Sequence, residues 1–258
     1  MKDSDLIYGI MVSLGKEEYS VSYLKYLLKP FGVTDSSLRT ILSRMLNKGV
    51  LQSVKKGKSA YYSFADRGKR IGRNVSFSFK NPDWSNWNHR WWGFLFTIPA
   101  EDKALRHKVT KKLTYNRFAS LYPGCWIRPL HESEKTEERI QELTSAGFCH
   151  LTKMEFSTEL TKEKIQKIWK INSINYDFRK GLDLIKASLI TLENANPEEA
   201  FRLKMTTGNE IVQLLVTDPL LPDCYMPEDW NGNELRQAFF TWEKSVYEKS
   251  KLYWKNYK

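Results

Sequence analysis

A chain of 258 residues with 41% apolar and 28% charged residues can bury a full core in two or three domains, and this composition excludes general disorder. The formal net charge of +11 is unevenly placed: residues 1–80 hold 15 Lys plus Arg against 6 Asp plus Glu, and the remainder holds 26 against 24. Such concentration points to nucleic acid rather than to a membrane or an acidic metabolite. Cys125, Cys149 and Cys224 are odd in number, widely spaced and outside any CxxC or Cys/His cluster. They indicate neither a structural zinc nor a disulfide framework, and a reducing cytoplasm fits. Asp3 and Asp5 interrupt any secretory signal, and no run of roughly eighteen apolar residues occurs, so a cytoplasmic protein without membrane association is expected.

The first predicted helix covers Asp5 to Leu14, with Leu6, Ile7, Ile10, Met11 and Leu14 inward. Ser20 caps a second helix, Val21 to Leu28, whose Tyr23, Leu24, Leu27 and Leu28 pack inward until Pro30 stops it. Thr34 caps the third, in TDSSLRTILSRMLNKG. Taking Leu38 as angular zero, Ile41, Leu42, Met45 and Leu46 fall within about 80° and form one buried stripe. Ser36, Thr40, Ser43 and Asn47 face the opposite way, flanked by Arg39 and Arg44. Hydroxyl and amide groups between two guanidinium forks suit reading base edges and clamping phosphates. Beyond Gly49, LQSV and AYYSF bracket KKGKS as a ribbon whose turn is Gly57 and whose tip gathers Lys55, Lys56 and Lys58. Three like charges there repel one another until a polyanion neutralises them. Three helices and a ribbon in this order make a winged helix-turn-helix; the competing reading is a basic hairpin beside a surface helix. Asp66 to Arg73 forms a brief basic helix that either follows a nucleic-acid backbone or leads into a linker. So small a domain leans on the chain that follows and on a second copy of itself.

The domain limits read from composition are 1–73, a connector 74–90, a central domain 91–158 and a helical domain 159–258. The connector is aromatic, and Trp84, Trp87, Trp91 and Trp92 make either a ligand box or interdomain packing. WWGFLFTI is a strand, Glu101 to Leu113 a helix, and Phe118 to Tyr122 and Cys125 to Pro129 two strands joined by Pro123 and Gly124. A helix over Thr136 to Ala146 and a strand from Cys149 to Phe156 complete a βαββαβ order, which fits a ferredoxin-like sheet backed by two helices. Phosphate-binding loops of Walker or dinucleotide type are absent from the sequence.

Thr161 to Leu192 reads as mainly helical, anchored by Ile165, Ile168, Trp169, Tyr176 and Phe178, with a break over Asn172 to Asn175. A helix over Ala200 to Val216 is weakened at TTGN. DPLLPDCYMPEDWNG is a proline-punctuated loop that tucks in Leu220, Leu221, Tyr225, Met226 and Trp230, and Glu234 to Tyr253 is the last helix. The basic aromatic tail beyond Tyr247 either touches DNA or frays.

Three stretches resemble the phenylacetate-degradation repressor (PaaX) family of bacterial transcription regulators. The first, from Val21 to Lys69, is similar to the family's winged-helix domain in Arg39, Ser43, Arg44, Gly49, Tyr61, Tyr62 and Gly68. WWGFLFTIPAEDKALRHKVTKKLTYNRFASLYPGCWIRP resembles the central, Cas2-like segment, and TDPLLPDCYMPEDWNG the carboxy-terminal signature. The resemblance implies a dimeric repressor that leaves its operator when a small acyl-coenzyme A binds. It carries Arg39, Thr40, Ser43, Arg44 and the wing lysines over as DNA contacts. Cas2 nucleases end their first strand with a metal-binding Asp, and FTIPA has none. The pattern also departs before the carboxy-terminal signature, where the family has a His and paired Arg and this chain has Asn209, Val212 and Gln213. Coenzyme A phosphates call for such cations, so the effector differs or its cations lie elsewhere.

The expected fold is therefore α+β: a winged helix-turn-helix, a ferredoxin-like (Cas2-like) βαββαβ domain and a mainly helical carboxy-terminal domain. The expected function is sequence-specific repression on double-stranded DNA with a palindromic operator. The expected assembly is a homodimer, with an acyl-CoA thioester as possible effector and no resident cofactor. The DNA-contacting set is Ser36, Arg39, Thr40, Ser43, Arg44, Asn47, Lys55, Lys56 and Lys58. Two other classes compete, a non-sensing architectural or interaction module and a metal-dependent nuclease. His89, His107, His131 and His150 lie near no Asp/Glu/Cys set at metal-ligand spacing, so neither catalytic residues nor metal ligands are assigned.

Overall fold

The computed structural model describes residues 2–99, 101–131, 140, 143 and 149–257 and has a mixed α+β fold. In chain order its elements are α1 (Asp3–Leu14), β1 (Tyr19–Ser20), α2 (Val21–Leu28), a single 3-10 turn at Lys29–Phe31, α3 (Asp35–Asn47), β2 (Leu51–Lys56), β3 (Ser59–Phe64) and α4 (Asp66–Phe77). There follow β4 (Trp91–Phe96), α5 (Lys103–Tyr115), β5 (Ala119–Tyr122), β6 (Cys125–Pro129) and β7 (Cys149–Met154), then α6 (Lys162–Trp169), α7 (Ile171–Asn194), α8 (Pro197–Thr217), a 3-10 turn at Asp223–Tyr225 and α9 (Gly232–Lys255). The chain divides into two compact units. Among the described residues, no helix is long and apolar enough to cross a membrane.

The first unit gathers the chain up to Lys80 with Asp177–Val216 and the chain from Gly232 onward. Helices α1, α2 and α3 meet along the stripes expected from their periodicity, burying Ile7, Ile10, Leu24, Leu27, Leu28 and Leu42 almost completely. Each such side chain contributes roughly 1.5–3 kcal/mol by leaving water. Phe201 and Met205 of α8 and Tyr253 of α9 belong to the same core, so the three helices draw apolar cover from segments more than a hundred residues away. Strand β3 is central in an antiparallel sheet of order β1-β3-β2. The two-residue strand Tyr19–Ser20, which pairs with Tyr62 and Tyr61, is not visible in the hydrophobic pattern.

Helix α4 runs past Arg73 to Phe77, beyond the limit expected from composition. Its extension is held by Phe79, which stacks on Phe239 at 5.6 Å and touches Phe240 at 5.8 Å. Gly68 lets α4 approach β3: a Cβ there would lie 2.3 Å from the Val50 carbonyl oxygen and 2.9 Å from Phe64 Cδ1. Tyr8 Oη seals the contact by donating to the Gly68 carbonyl at 2.8 Å. The carboxy-terminal tail packs rather than frays, with Tyr253 buried and the Tyr257 ring against Tyr23 at 4.7 Å and Tyr26 at 5.2 Å.

The second unit holds residues 81–176 and 217–231. Its sheet has the order β5-β6-β4-β7 with every neighbour antiparallel. Alternation along β4 sends Trp91 to one face and Trp92 to the other. Trp92 and Phe94 pack with Val109 and Leu113 of α5 and with Ile140 and Leu143. On the opposite face Trp91 joins Ile165, Trp169, Leu221, Tyr225 and Met226. The expected helix over Thr136 to Ala146 lies, apart from Ile140 and Leu143, outside the described residues. Trp87 packs on Trp91 and Tyr225, so this part of the tryptophan cluster is core of the second unit.

Two expectations for the chain after Thr161 are corrected. The helical break falls at Lys170, whose φ is 56°, and not over Asn172 to Asn175. Asn175 does not compete with its own helix because its side chain is engaged elsewhere: it donates to the Asp229 carbonyl at 3.1 Å and accepts from Asn231 N at 2.9 Å. Tyr176, expected as an anchor, is 58% exposed; it lies one residue off the buried row Ile171, Asn175, Phe178 and Leu182.

Candidate nucleic-acid interface

Helix α3 begins where the Thr34 hydroxyl accepts from Ser37 N at 3.2 Å, satisfying one of the free amides of its first turn. Leu38, Ile41, Leu42 and Met45 are buried beneath it. The face away from them, Ser36, Thr40, Ser43 and Asn47, is exposed along its whole length, as are Arg39 and Arg44. Thr40 Oγ1 donates back to the Ser36 carbonyl at 3.0 Å. Its proton is thus spent on the helix, and the hydroxyl meets a ligand as an acceptor with a methyl group beside it. Among the described residues, the side chains of Arg39, Ser43, Arg44 and Asn47 have no polar partner within the chain. Asp35, the one acid on this helix, is occupied by Lys25 at 2.7 Å.

The adjacent ribbon is longer than the sequence suggested. Lys56 pairs with Ser59 as the last rung, which leaves Gly57, at φ 61°, and Lys58 as a two-residue turn. Lys55 and Lys56 are consecutive in β2 and point to opposite faces, so the three lysines do not crowd one tip. Lys56 is held within the protein by Glu18 Oε1 at 2.5 Å and sits over the Tyr61 ring at 5.2 Å. Lys55 and Lys58 carry exposed ammonium groups. Glu18 was missed by sequence reasoning because it reaches the ribbon only through the β1–β3 pairing.

Arg67 of α4 donates to the Lys48 carbonyl at 3.1 Å and closes the carboxy-terminal end of α3. Lys69, Arg70 and Arg73 on the same helix are exposed. On α2, burial raises the phenol of Tyr23 to about 12, with Tyr19, Tyr26 and Tyr257 adding to the effect. Among the described residues, no group of three or more His, Cys, Asp and Glu side chains is arranged to hold a metal ion.

An exposed, hydroxyl-rich helix beside a basic ribbon defines a surface suited to a polyanion. Three family models match the chain: residues 6–68 match the model described as PaaX-like protein, 84–166 the PaaX protein central Cas2-like domain, and 169–256 the PaaX-like protein C-terminal domain. The chain belongs to the PaaX family. It is 23% identical over 239 residues to the transcriptional repressor PaaX of Escherichia coli K12, spanning 90% of this chain and 75% of that relative. The uncharacterized protein Rv0674 from Mycobacterium tuberculosis has a similar fold, with a TM-score of 0.57 at 21% identity over 90% of each chain.

Proposed function

We propose that this chain is a sequence-specific DNA-binding transcriptional repressor of the PaaX type. The observation that carries the reading is the exposed row Ser36, Thr40, Ser43 and Asn47 between Arg39 and Arg44 on α3, next to the basic β2–β3 ribbon. In this reading α1 to β3 form a winged helix-turn-helix, and the sheet of the second unit is the ferredoxin-like body of the family. Helix α3 enters the major groove; Lys55 and Lys58 meet phosphates, and Lys56 does so once Glu18 yields it.

One reading helix spans few base pairs, so a homodimer on a palindromic operator supplies affinity and specificity together. Release follows when a small effector such as an acyl-CoA thioester favours a dimer whose two α3 helices no longer reach successive grooves. The protein then works in the cytoplasm, beside the chromosome. A mobility-shift titration on the promoter of its own coding region tests the reading. A discrete complex that survives excess random DNA is expected. Equal affinity for promoter and random DNA, or cleavage of the probe in Mg²⁺ or Mn²⁺, sinks it.

A further inference from the structure

Within the first unit, a cavity of about 760 Å³ opens between α1, α3, α4, α8 and α9. That volume lies in the range of roughly 300–1,000 Å³ found for small-molecule sites. Its walls are mainly apolar, with Val12, Ile41, Met45, Val75, Met205 and Val212 among them.

Three of the five helices place a glycine on this wall, Gly9 on α1, Gly72 on α4 and Gly208 on α8. Glycine inside a helix costs about 1 kcal/mol relative to alanine, a cost commonly offset where helices touch closely. No such contact exists at Gly9, where an added Cβ would meet nothing within 4 Å. At Gly208 it would meet only the Trp242 ring at 3.4 Å, and at Gly72 only Tyr8 Oη at 3.1 Å. These absent side chains keep volume open instead of bringing backbones together.

The same wall carries Lys204, 4% exposed, paired with Glu243. An ammonium has three donors. Glu243 takes one, and the Tyr247 ring, 5.7 Å from Nζ, offers only its π face. A buried donor with unspent capacity in an apolar cavity calls for an acceptor oxygen. The walls also carry Lys2, Asp3, Asp5, Arg44 and Lys48; at Lys204 itself a second anion would share one ammonium with Glu243, whereas an uncharged oxygen leaves that pair neutral.

We propose that this cavity binds an uncharged, mostly apolar carbonyl compound, its oxygen accepting from Lys204 and its body filling the space beside Gly9, Gly72 and Gly208. Ile41, Arg44 and Met45 of α3 line the cavity, so the occupant bears directly on the helix assigned to DNA. That regulatory consequence rests on the DNA-binding reading; the site itself does not.

Fluorescence titration of the full chain tests the site with prodan, an uncharged naphthyl ketone whose emission moves to the blue in apolar surroundings. The control probe is the same dye bearing a carboxylate in place of the ketone. Saturable one-to-one binding of prodan is expected, with the carboxylate about tenfold weaker. Gly9→Leu, which places its side chain where the structure is open, should weaken prodan by about tenfold without lowering the melting temperature or altering the DNA mobility shift of the parent. The double change Lys204→Met/Glu243→Leu removes the donor without stranding a charge and should weaken the ketone while leaving binding of naphthalene itself unchanged. Absence of saturable prodan binding, equal affinity for Gly9→Leu and the parent, or a carboxylate that binds as tightly as the ketone overturns the proposal. A parent chain that binds prodan as expected but shows no DNA complex retains the site and loses the repressor reading.

Discussion

Tyr26 and Tyr253 exchange hydrogen bonds: the Tyr26 phenol donates to the Tyr253 carbonyl at 2.7 Å, and the Tyr253 phenol to the Tyr26 carbonyl at 2.9 Å, with the rings stacked 4.8 Å apart. One residue lies on α2 and the other near the end of α9. The last helix is thereby tied to the amino-terminal helices at a point where each carbonyl also accepts a backbone amide, Tyr26 from Lys29 and Tyr253 from Asn256.

Removing either phenol should cost about the net worth of its own hydrogen bond, because the carbonyl it leaves keeps its backbone amide. Tyr26→Phe or Tyr253→Phe is expected to lower stability by roughly 0.5–1.5 kcal/mol in urea unfolding. The double variant should lose less than the sum of the two, because each ring orients the other. Additive losses would show that the pair acts as two independent contacts.

The tyrosines around this lock also set an alkaline limit. Burial is the first cause of the raised phenol pKa values of Tyr23, Tyr26 and Tyr253. Tyr23 moves from 10.0 to about 12. A folded-state pKa above the unfolded value favours folding in full below the unfolded pKa, and that contribution drains away as pH rises through the folded one. Melting temperature should hold up to pH 10 and fall between pH 10 and about 12. Tyr23→Phe should flatten the decline, and an unchanged slope in that variant assigns the loss to other groups.

How far the sequence could be read is decided by the range of each signal. Helices α1, α2 and α3, their Ser20 and Thr34 caps and the outward row from Ser36 to Asn47 follow from spacing within a few residues, and the structure shows each. Strands β4 to β7 follow from apolar runs bounded by turn residues in the same way. Features that depend on distant segments were not legible. Tyr19–Ser20 is a strand only because β3 is beside it, and Lys56 is held only because Glu18 immediately precedes that strand. Helix α4 lengthens because Phe79 finds Phe239, more than a hundred residues on. Asn175 and Tyr176 show the same limit in one helix: the polar residue is buried by a loop partner, and the aromatic one is exposed by its phase.

Gly68 is a steric requirement and should not tolerate a methyl group. The Val50 carbonyl oxygen, 2.3 Å from the position of an added Cβ, is backbone within the α3–β2 connection and yields only if α4 moves away from the ribbon. Gly68→Ala is expected to destabilise by roughly 1–3 kcal/mol in denaturant unfolding. Gly9→Ala, at an open helical position, should be neutral or stabilising by up to about 1 kcal/mol. Similar losses for both would mean that the close approach of α4 is not what constrains Gly68.

The Lys204–Glu243 pair makes a third kind of stability claim. Lys204 is nearly inaccessible, and desolvation lowers its pKa against the opposing influence of Glu243. Glu243→Leu strands that cation and should cost roughly 2–4 kcal/mol. Lys204→Met should cost less, because the Glu243 carboxylate is 36% exposed and can turn to water. The double apolar variant should return close to the parent in urea unfolding, and a double loss equal to the sum of the single losses would refute this ranking.

The proposed mode of DNA binding divides cations that read from cations that hold. Arg39 and Arg44 flank the row of hydroxyl and amide groups on α3, so Arg39→Ala or Arg44→Ala should weaken a specific site by about 1–3 kcal/mol while affecting random DNA less. Lys58→Ala removes an exposed charge from the ribbon turn; both kinds of DNA should weaken alike, and the slope of log affinity against log salt should fall by roughly one. Lys56 must first surrender Glu18, an exposed ion pair worth roughly 0.2–1 kcal/mol. Lys56→Ala should therefore cost less than Lys58→Ala, and Glu18→Gln should strengthen binding to specific and random DNA equally. Salt-dependent anisotropy titrations of the five variants test the ordering. Losses shared equally among all four cations would dissolve the division between reading helix and wing, and a Glu18→Gln variant that binds no better would show that Lys56 is not held in reserve.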